Sequence, residues 1–272
     1  MIRNTPRIVP KKIIITQPKK TYGLKKALLV GINYIGSRYE LSGSINDINN
    51  IENILKKKFP MCKDYKTITD NTELKPTKKN ILESIDWLVN SLQPGENVYF
   101  HYSGHGGLIK DTNGDEVSGM DSCIFAYNNG KIEEIVDDEI RMYLANRIPV
   151  GCKCFVTFDC CNSGTVCDLR YTYNNINNNT LSFSEDKMYE KTNGQIIFLS
   201  ACSDNQAAKE EKSSGAFTNA LIHTWNTYGV DIKLKYLLWD IGQYLLENGY
   251  RQTPQLSSGQ YQDLNSIFDL SV

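Results

Sequence analysis

From residue 24 onward, short apolar runs alternate with longer segments in which apolar residues recur every three or four positions. The short runs are typical of buried β-strands, and the longer segments have the periodicity of amphipathic helices. Strands that alternate with helices predict an α/β fold, in which a mainly parallel sheet carries helices on both faces. The predicted strands are 26–32, 65–69, 97–102, 122–127, 154–158 and 196–200, and the predicted helices are 44–59, 77–92, 138–146, 216–228 and 234–248.

Two glycine-containing motifs directly follow two of the predicted strands. They are HYSGHGG at residues 101–107 and FDCCNSG at residues 158–164. Ligands bind at the carboxyl ends of strands in open α/β sheets, so His105 and Cys161 are expected at the binding edge. An imidazole beside a thiol can accept the thiol proton and leave a reactive thiolate. The pair therefore predicts a cysteine nucleophile, and the alternatives are a structural histidine and a buried, inert cysteine.

The composition argues against several other classes of protein. The formal net charge of -1 gives no reason to expect a nucleic acid or an anionic membrane as partner. No apolar run approaches the roughly 20 residues of a membrane-spanning helix, and the first 20 residues lack a signal-peptide core. We expect a cytoplasmic protein with reduced thiols, because four of the 8 cysteines lie in or beside one predicted strand. A structural zinc site is not expected, since the CxC spacing at 152–154 does not suit zinc.

Three segments are predicted to lack regular secondary structure. Residues 1–23 are basic and proline-containing, which predicts a flexible N-terminal arm. Residues 108–120 read as a loop whose DTNGD run hints at a calcium-binding EF-hand. It lacks the glycine at position six and the glutamate at position twelve, so we reject that interpretation. Residues 170–194 are rich in Asn, Ser, Thr and Tyr and predict a long mobile loop within a single domain, 24–272.

Taken together, these features resemble the metacaspases, and type I enzymes in particular. The 56 positions between His105 and Cys161 are close to the roughly 50 that separate the two residues in caspases, although the caspase string QACxG is absent. The resemblance implies a caspase–haemoglobinase fold and a cysteine endopeptidase that cleaves after Arg or Lys. The similar segments are 22–36, 101–107, 119–126, 136–140, 158–169 and 254–257.

The resemblance also implies catalytic roles. His105 corresponds to the general base and Cys161 to the nucleophile, while the Gly106 region and the Cys161 backbone N–H correspond to the oxyanion donors. Cys160 lies at a variable position and is interpreted as a packing residue. Asn162 stands where the family usually has His, and we expect this departure to tune the activity without abolishing it.

A pocket for Arg or Lys requires buried carboxylates, and the resemblance assigns this role to Asp159 and Asp47. Ser103 matches a further pocket residue, and Ser44 occupies a pocket position where the family commonly has Cys. Structural alternatives remain for these residues. Ser44 could cap the helix that it begins, with Asp47 in the first turn, and Asp159 could form a turn at the end of its strand.

The resemblance further implies a calcium site and self-processing. Asp121, Asp137, Asp138 and Asp168 match the four aspartates that bind Ca²⁺ in type I metacaspases, and carboxylate oxygens suit this ion. The alternative for Asp137 and Asp138 is that they cap a helix.

Self-cleavage is expected within 170–194, between a large-subunit-like segment, 24–169, and a small-subunit-like segment, 195–272. The candidate sites are Arg170, Lys187 and Lys191. The expected partners are protein or peptide substrates with Arg or Lys at the cleavage position, and the family is usually monomeric.

Two other functions compete with proteolysis. A catalytically weak scaffold or protein-quality-control factor could keep the fold, and the departures at Asn162 and Ser44 are its support. A redox sensor could use Cys160 and Cys161, but a disulfide between adjacent cysteines closes a strained ring. Cleavage after Asp is disfavoured, because the predicted pocket is acidic.

Overall fold

The computed structural model describes residues 23–111, 119–161, 166–177, 180–201, 210–211, 214–267 and 270. Residues 1–22 of the predicted arm lie outside these ranges. In chain order the strands are β1 (Leu24–Gly31), β2 (Asp64–Thr69), β3 (Asn97–Ser103), β4 (Gly106–Lys110), β5 (Met120–Asn128), β6 (Lys131–Val136), β7 (Lys153–Asp159), β8 (Tyr171–Asn177), β9 (Thr180–Glu185), β10 (Gln195–Ser200), β11 (Glu210–Glu211), β12 (Ser214–Gly215) and β13 (Gln255–Ser258). The helices are α1 (Ser44–Lys58), α2 (Lys78–Val89), α3 (Asp137–Tyr143), α4 (Ala216–Tyr228) and α5 (Leu234–Glu247).

Eight of the described strands form a central sheet in the order β2-β1-β3-β7-β10-β13-β8-β9. The first five run parallel, and each later pair is antiparallel. The carboxyl ends of β1, β3, β7 and β10 therefore share one edge of the sheet. That edge is where the two glycine-containing motifs begin.

The helices cover both faces of this sheet because each presents one apolar stripe. On the first face, α1 packs with α4 and α5 into one core, and Leu29 of β1 points into it. On the second face, α2 and α3 pack into another core, and Leu28 and Val30 point that way. Alternating strand residues thus bury both faces. The predicted α/β class is confirmed, and α4 matches the predicted helix 216–228.

The β8–β9 hairpin contradicts the prediction of a long mobile loop over 170–194. β8 pairs with β13 and extends the central sheet, and β9 pairs with β8. Tyr171 and Tyr173 alternate with polar residues and are buried in the core beside α1, α4 and α5. This period-two pattern is typical of a strand with one buried face. The prediction of a loop rested on the abundant polar residues and did not take the pattern into account.

A second, three-stranded sheet forms from β4, β5 and β6 within the described residues. The prediction of a loop over 108–120 was wrong for residues 108–110, because they belong to β4, which pairs with β5. β6 was not predicted, although its sequence KIEEIV partly alternates apolar and polar residues. Among the described helices, none combines the length and apolar character needed to span a membrane.

Candidate active site

The described parts of the two glycine-containing motifs, 101–107 and 158–161, meet at the carboxyl edge of the central sheet. β3 and β7 are parallel neighbours with Ser103 in register with Asp159, so the segments that follow leave the sheet side by side. A Cβ atom on Gly106 would lie 2.3 Å from the carbonyl oxygen of Cys161. A residue with a side chain at this position would overlap the cysteine loop. Glycine therefore permits the contact between the loops of His105 and Cys161.

The two adjacent cysteines differ in exposure. Cys160 is fully buried, whereas Cys161 is partly exposed. A substrate can reach only an exposed thiol, so Cys161 is the accessible nucleophile candidate and Cys160 fills space in the core. No disulfide joins the cysteines of the described residues. Asn162 lies outside those residues.

The imidazole of His105 is held in one tautomer by a backbone carbonyl. Its Nε2 atom lies 2.8 Å from the carbonyl oxygen of Tyr39. A carbonyl oxygen can only accept, so Nε2 carries the proton of the neutral ring and donates it to this bond. Nδ1 is then the ring nitrogen with a lone pair, which is what a general base requires.

The segment that carries Tyr39 is anchored by a carboxylate on the neighbouring strand end. Asp70 accepts hydrogen bonds from the backbone N–H groups of Asn33, at 2.7 Å, and Ile35, at 3.1 Å. The Leu41 N–H donates to the Asn33 carbonyl oxygen, at 2.8 Å, and closes the segment into a loop. Asp70 therefore stabilises the loop that determines the His105 tautomer.

The first pocket candidate, Asp47, is a buried carboxylate that accepts hydrogen bonds from two other elements. It is 1% exposed. Ser103 Oγ donates to Oδ2 at 2.7 Å, Ser214 Oγ donates to Oδ1, and the Gly215 N–H lies 2.9 Å from Oδ1. These donors belong to β3 and β12. Asp47 thus links the first motif to the segment before α4, a role beyond its place in the first turn of α1.

The second pocket candidate, Asp159, lies at the N-terminus of α4. Its Oδ2 atom accepts from both the N–H and the Oγ1 hydroxyl of Thr218, each at 2.8 Å. Thr218 is in the first turn, where backbone N–H groups lack helical partners and the helix dipole favours an anion. Asp159 is 5% exposed, and these donors stabilise its buried charge.

The two pocket acids flank Gly215. A Cβ atom on Gly215 would lie 2.0 Å from Asp159 Oδ2 and 2.9 Å from Asp47 Oδ2. Both carboxylates therefore converge on the same small region, and there is no space for a side chain between them. A pair of carboxylates this close suits a guanidinium or ammonium group, which would relieve their mutual repulsion.

Sequence reasoning missed the residues that hold these acids. Ser214, Gly215 and Thr218 contact Asp47 or Asp159 from a segment far away in the chain, and their signal was limited to a Ser-Gly pair before a predicted helix. Ser44 is buried at the start of α1. It does not cap that helix, because the N-cap is Gly43 without a side-chain hydrogen bond.

The four calcium candidates lie around the start of α3. β5 and β6 pair with Cys123 opposite Val136, which places Asp121 near Asp137 and Asp138. Asp137 Oδ2 accepts from the Ser122 N–H at 2.7 Å. Asp121, Asp137 and Asp168 are buried. At the start of α3, Asp137 Oδ1 also accepts from the Asp138 N–H at 3.0 Å, as the capping alternative predicts, and the Glu139 carboxylate accepts from the Val136 N–H at 3.2 Å.

Two buried thiols, Cys123 and Cys167, lie close enough to these acids for the carboxylates to raise the pKa values of the thiols. Burial raises the pKa of Cys123 to about 12, and Asp137 and Asp121 add smaller contributions. Burial also raises the pKa of Cys167, with Asp168 and Asp137 contributing. Oxygen-rich surroundings fit the donor preference of Ca²⁺. Among the described residues, however, no three acidic, histidine or cysteine side chains converge as a formed metal site.

The candidate self-cleavage residues lie at the opposite edge of the sheet. β8 runs toward the catalytic edge and β9 returns, so Lys187 and Lys191 follow at the amino edge. Both lysines are exposed. The Arg170 guanidinium is held by hydrogen bonds: Nε donates to Glu185 at 2.9 Å, and Nη1 donates to the Tyr189 carbonyl oxygen at 3.1 Å.

Comparisons with known proteins agree with this architecture. A family model described as "Metacaspase, peptidase C14 domain" matches residues 25–170. Metacaspase-1 of Schizosaccharomyces pombe is 32% identical, over 89% of this chain and 69% of the relative. Metacaspase-1 of Meyerozyma guilliermondii is 34% identical, over 90% of this chain and 72% of the relative.

Two crystal structures are similar to the fold. Protein GSU0716 from Geobacter sulfurreducens has a TM-score of 0.67 at 20% identity and covers 91% of this chain and 99% of its own. Caspase-1 from Spodoptera frugiperda has a TM-score of 0.56 at 12% identity and covers 88% of this chain and 86% of its own. At such identities the structures establish the caspase-like fold alone. The family model and the two fungal relatives identify the chain as a member of the metacaspase family of cysteine peptidases.

Proposed function

We propose that this metacaspase is an endopeptidase that cleaves after Arg or Lys, with Cys161 as nucleophile and His105 as general base. The observation that carries the proposal is the hydrogen bond from His105 Nε2 to the Tyr39 carbonyl oxygen, at 2.8 Å. It leaves Nδ1 as a base at the edge of the sheet from which the partly exposed Cys161 also extends.

The proposed reaction uses these two residues in turn. His105 Nδ1 takes the Cys161 proton, and the thiolate attacks the scissile carbonyl carbon. Backbone N–H groups of the Gly106 region and Cys161 stabilise the oxyanion that forms. The imidazolium then protonates the leaving amine as the C–N bond breaks, which produces a thioester. Water, deprotonated by His105, hydrolyses the thioester and restores the thiol and the neutral imidazole.

The proposed specificity rests on Asp47 and Asp159. Two buried carboxylates beside Gly215 repel each other, and a substrate guanidinium or ammonium group compensates both charges. Ser103 holds Asp47 in place and Ser44 lines the buried start of α1. An acidic substrate side chain would add a third negative charge, so cleavage after Asp is not expected.

We assign calcium binding to Asp121, Asp137, Asp138 and Asp168. Their carboxylate oxygens are the hard ligands that Ca²⁺ prefers. Three of the four side chains are buried, and the β5–β6 pairing brings Asp121 near Asp137 and Asp138. A bound ion would draw these carboxylates together and fix Asp168, which lies seven residues after Cys161. Calorimetric titration of Ca²⁺ into Cys161→Ala tests the assignment without turnover, with Asp137→Asn as the variant that should bind more weakly.

Self-processing is proposed to occur between molecules. Lys187 and Lys191 are exposed at the amino edge of the sheet, and Cys161 lies at the carboxyl edge. Cleavage between molecules makes the rate per molecule rise with protein concentration. A rate independent of concentration would contradict this proposal.

The activity is tested by hydrolysis of a fluorogenic peptide with Arg at the cleavage position in excess calcium. The wild type should turn it over, and both Cys161→Ala and His105→Ala should not, whereas Cys160→Ala should retain activity if the protein folds. A matched peptide with Asp at that position should be inert. A folded wild type that cleaves neither Arg nor Lys peptides would favour the non-proteolytic scaffold.

A further inference from the structure

Two buried tyrosines enclose the peptide groups of His105. Tyr34 follows β1 and Tyr102 belongs to β3, and both are fully buried. The His105 N–H donates to Tyr34 Oη at 2.9 Å, and Tyr102 Oη donates to the His105 carbonyl oxygen at 2.7 Å. The two hydroxyl oxygens are 3.0 Å apart. Both polar backbone groups of His105 are therefore held by phenols.

The Phe125 carbonyl oxygen determines the direction of the Tyr34 hydrogen bonds. This oxygen can only accept, and it lies 2.7 Å from Tyr34 Oη. Tyr34 therefore gives its only proton to Phe125 and uses its lone pair for the His105 N–H. Burial raises the pKa of both phenols, so they remain protonated donors at neutral pH. The hydrogen bonds consequently persist over the pH range in which a cysteine peptidase works.

The tyrosines also restrict the imidazole and the residue before it. The Tyr34 ring lies 4.8 Å from the His105 ring, centroid to centroid, at an angle of 41°. A Cβ atom on Gly104 would lie 2.6 Å from Tyr102 Oη and 3.0 Å from Tyr34 Oη. Tyr34 itself has a φ of 51°, an unusual conformation for a non-glycine residue, which the surrounding bonds must maintain.

We propose that Tyr34 and Tyr102 are positioning residues that set the orientation of the His105 imidazole toward the Cys161 thiol. The proposal rests on the proposed function, in which His105 is the base. The two tyrosines act through His105, whose peptide groups and ring they contact directly. Removing a hydroxyl should lower the rate of the chemical step and leave substrate affinity largely unchanged.

The two tyrosines should differ in importance. Tyr34→Phe removes the acceptor of a part-buried N–H group, whereas Tyr102→Phe leaves the His105 carbonyl oxygen with the Phe125 N–H, at 3.2 Å. Tyr99→Phe is the matched control, because Tyr99 is a fully buried tyrosine of the same strand whose hydroxyl bonds Thr157 Oγ1 at 2.6 Å. It shares the loss of a buried hydroxyl and lies outside the catalytic edge.

The experiment measures kcat and KM on the Arg peptide, and the rate at which iodoacetamide alkylates Cys161 as a function of pH. Mass spectrometry of the Cys161 peptide separates this thiol from the others. Tyr34→Phe should lower kcat by about tenfold to a hundredfold, with KM within about threefold, and should shift the pH profile of alkylation. Tyr102→Phe should show the same change to a smaller degree, and Tyr99→Phe should change neither quantity.

Three results would overturn the proposal: an unchanged kcat and pH profile in Tyr34→Phe, a change confined to KM, or an equal loss in Tyr99→Phe. Chemical unfolding of each variant identifies a loss of activity that merely follows a loss of fold. If the wild type cleaves no peptide, the proposed function fails separately. The alkylation profile then decides alone whether Tyr34 orients His105 toward Cys161.

Discussion

Two groups of carboxylates in this molecule differ in whether their side chains converge on one point. The pocket pair, Asp47 and Asp159, converges on Gly215 and accepts hydrogen bonds from hydroxyls and backbone N–H groups of β3, β12 and α4. The calcium candidates lie near one another around the start of α3. Within the described part of the chain, no three of them meet at one point.

The difference indicates distinct roles for the two regions. Two carboxylates that other residues already hold beside Gly215 would favour a cationic side chain, which is the basis of the proposed Arg or Lys specificity. Carboxylates that must move to share an ion couple its binding to a change in their backbone segments. In the proposed calcium site, a bound ion would fix the position of Asp168, which is a step separate from substrate recognition.

The largest expected effect comes from the pocket. Asp159→Asn should lower kcat/KM for the Arg peptide by at least about 30-fold, because losing one partner of a buried charge pair costs about 2–5 kcal/mol. The asparagine oxygen can still accept from Thr218, so the fold should persist. Glu83→Gln, at an exposed acid of α2, is the control. Equal kcat/KM values for Asp159→Asn and the control would refute the pocket assignment.

The second effect concerns calcium. A chelator should suppress Arg-peptide hydrolysis, and Asp137→Asn should raise the calcium concentration for half-maximal activity by about tenfold or more, because fewer charged ligands remain. Asp159→Asn should leave that concentration unchanged within about twofold. A calcium titration of residual activity in each variant measures both. If Asp159→Asn shifted the midpoint as far as Asp137→Asn, the two regions would not be separate.

A third substitution tests whether activity depends on the close spacing of the two pocket acids around Gly215. Gly215→Ala places a methyl group 2.0 Å from the Asp159 Oδ2 position, so the acid pair must move apart. We expect kcat/KM to fall about tenfold and the unfolding free energy to fall by about 1–3 kcal/mol. Peptide kinetics and chemical unfolding provide the two numbers. Wild-type kinetics would show that the spacing of the acids is unimportant.

The smallest expected effect is that of Ser214→Ala. It removes one hydroxyl donor from Asp47, while the Ser103 hydroxyl and the Gly215 N–H remain. KM for the Arg peptide should rise about threefold to tenfold, which corresponds to a typical net hydrogen bond of about 0.5–1.5 kcal/mol, because two other donors still hold Asp47. The calcium midpoint should not change. A rise in KM beyond that of Asp159→Asn would reverse the proposed ranking of the pocket residues.

Much of the fold could be predicted from local sequence patterns. The apolar periodicity placed the five helices, and the positions of HYSGHGG and FDCCNSG at strand ends predicted that both lie at one edge of a parallel sheet. The β8–β9 hairpin was missed because its sequence is rich in asparagine, threonine and serine. Its buried Tyr171 and Tyr173 carried the signal.

The candidate site was less accessible from sequence, since its supporting residues come from distant segments. Thr218 contacts Asp159 across 59 positions, and no local pattern encodes that contact. The Tyr39 group that orients His105 is a backbone carbonyl, which any residue type would supply. Asp70 holds two N–H groups of the Tyr39 loop that lie 37 and 35 positions away, a contact that no local pattern encodes.

The most direct test of the preformed acidic pocket compares kcat/KM for two peptides that differ only in Arg or citrulline at the cleavage position. Citrulline has nearly the shape of Arg without its charge. In calcium, the wild type should prefer Arg by at least about 30-fold, and Asp159→Asn should reduce that preference to within a few-fold. Equal cleavage of both peptides by the wild type, or a preference that survives in Asp159→Asn, would contradict the account.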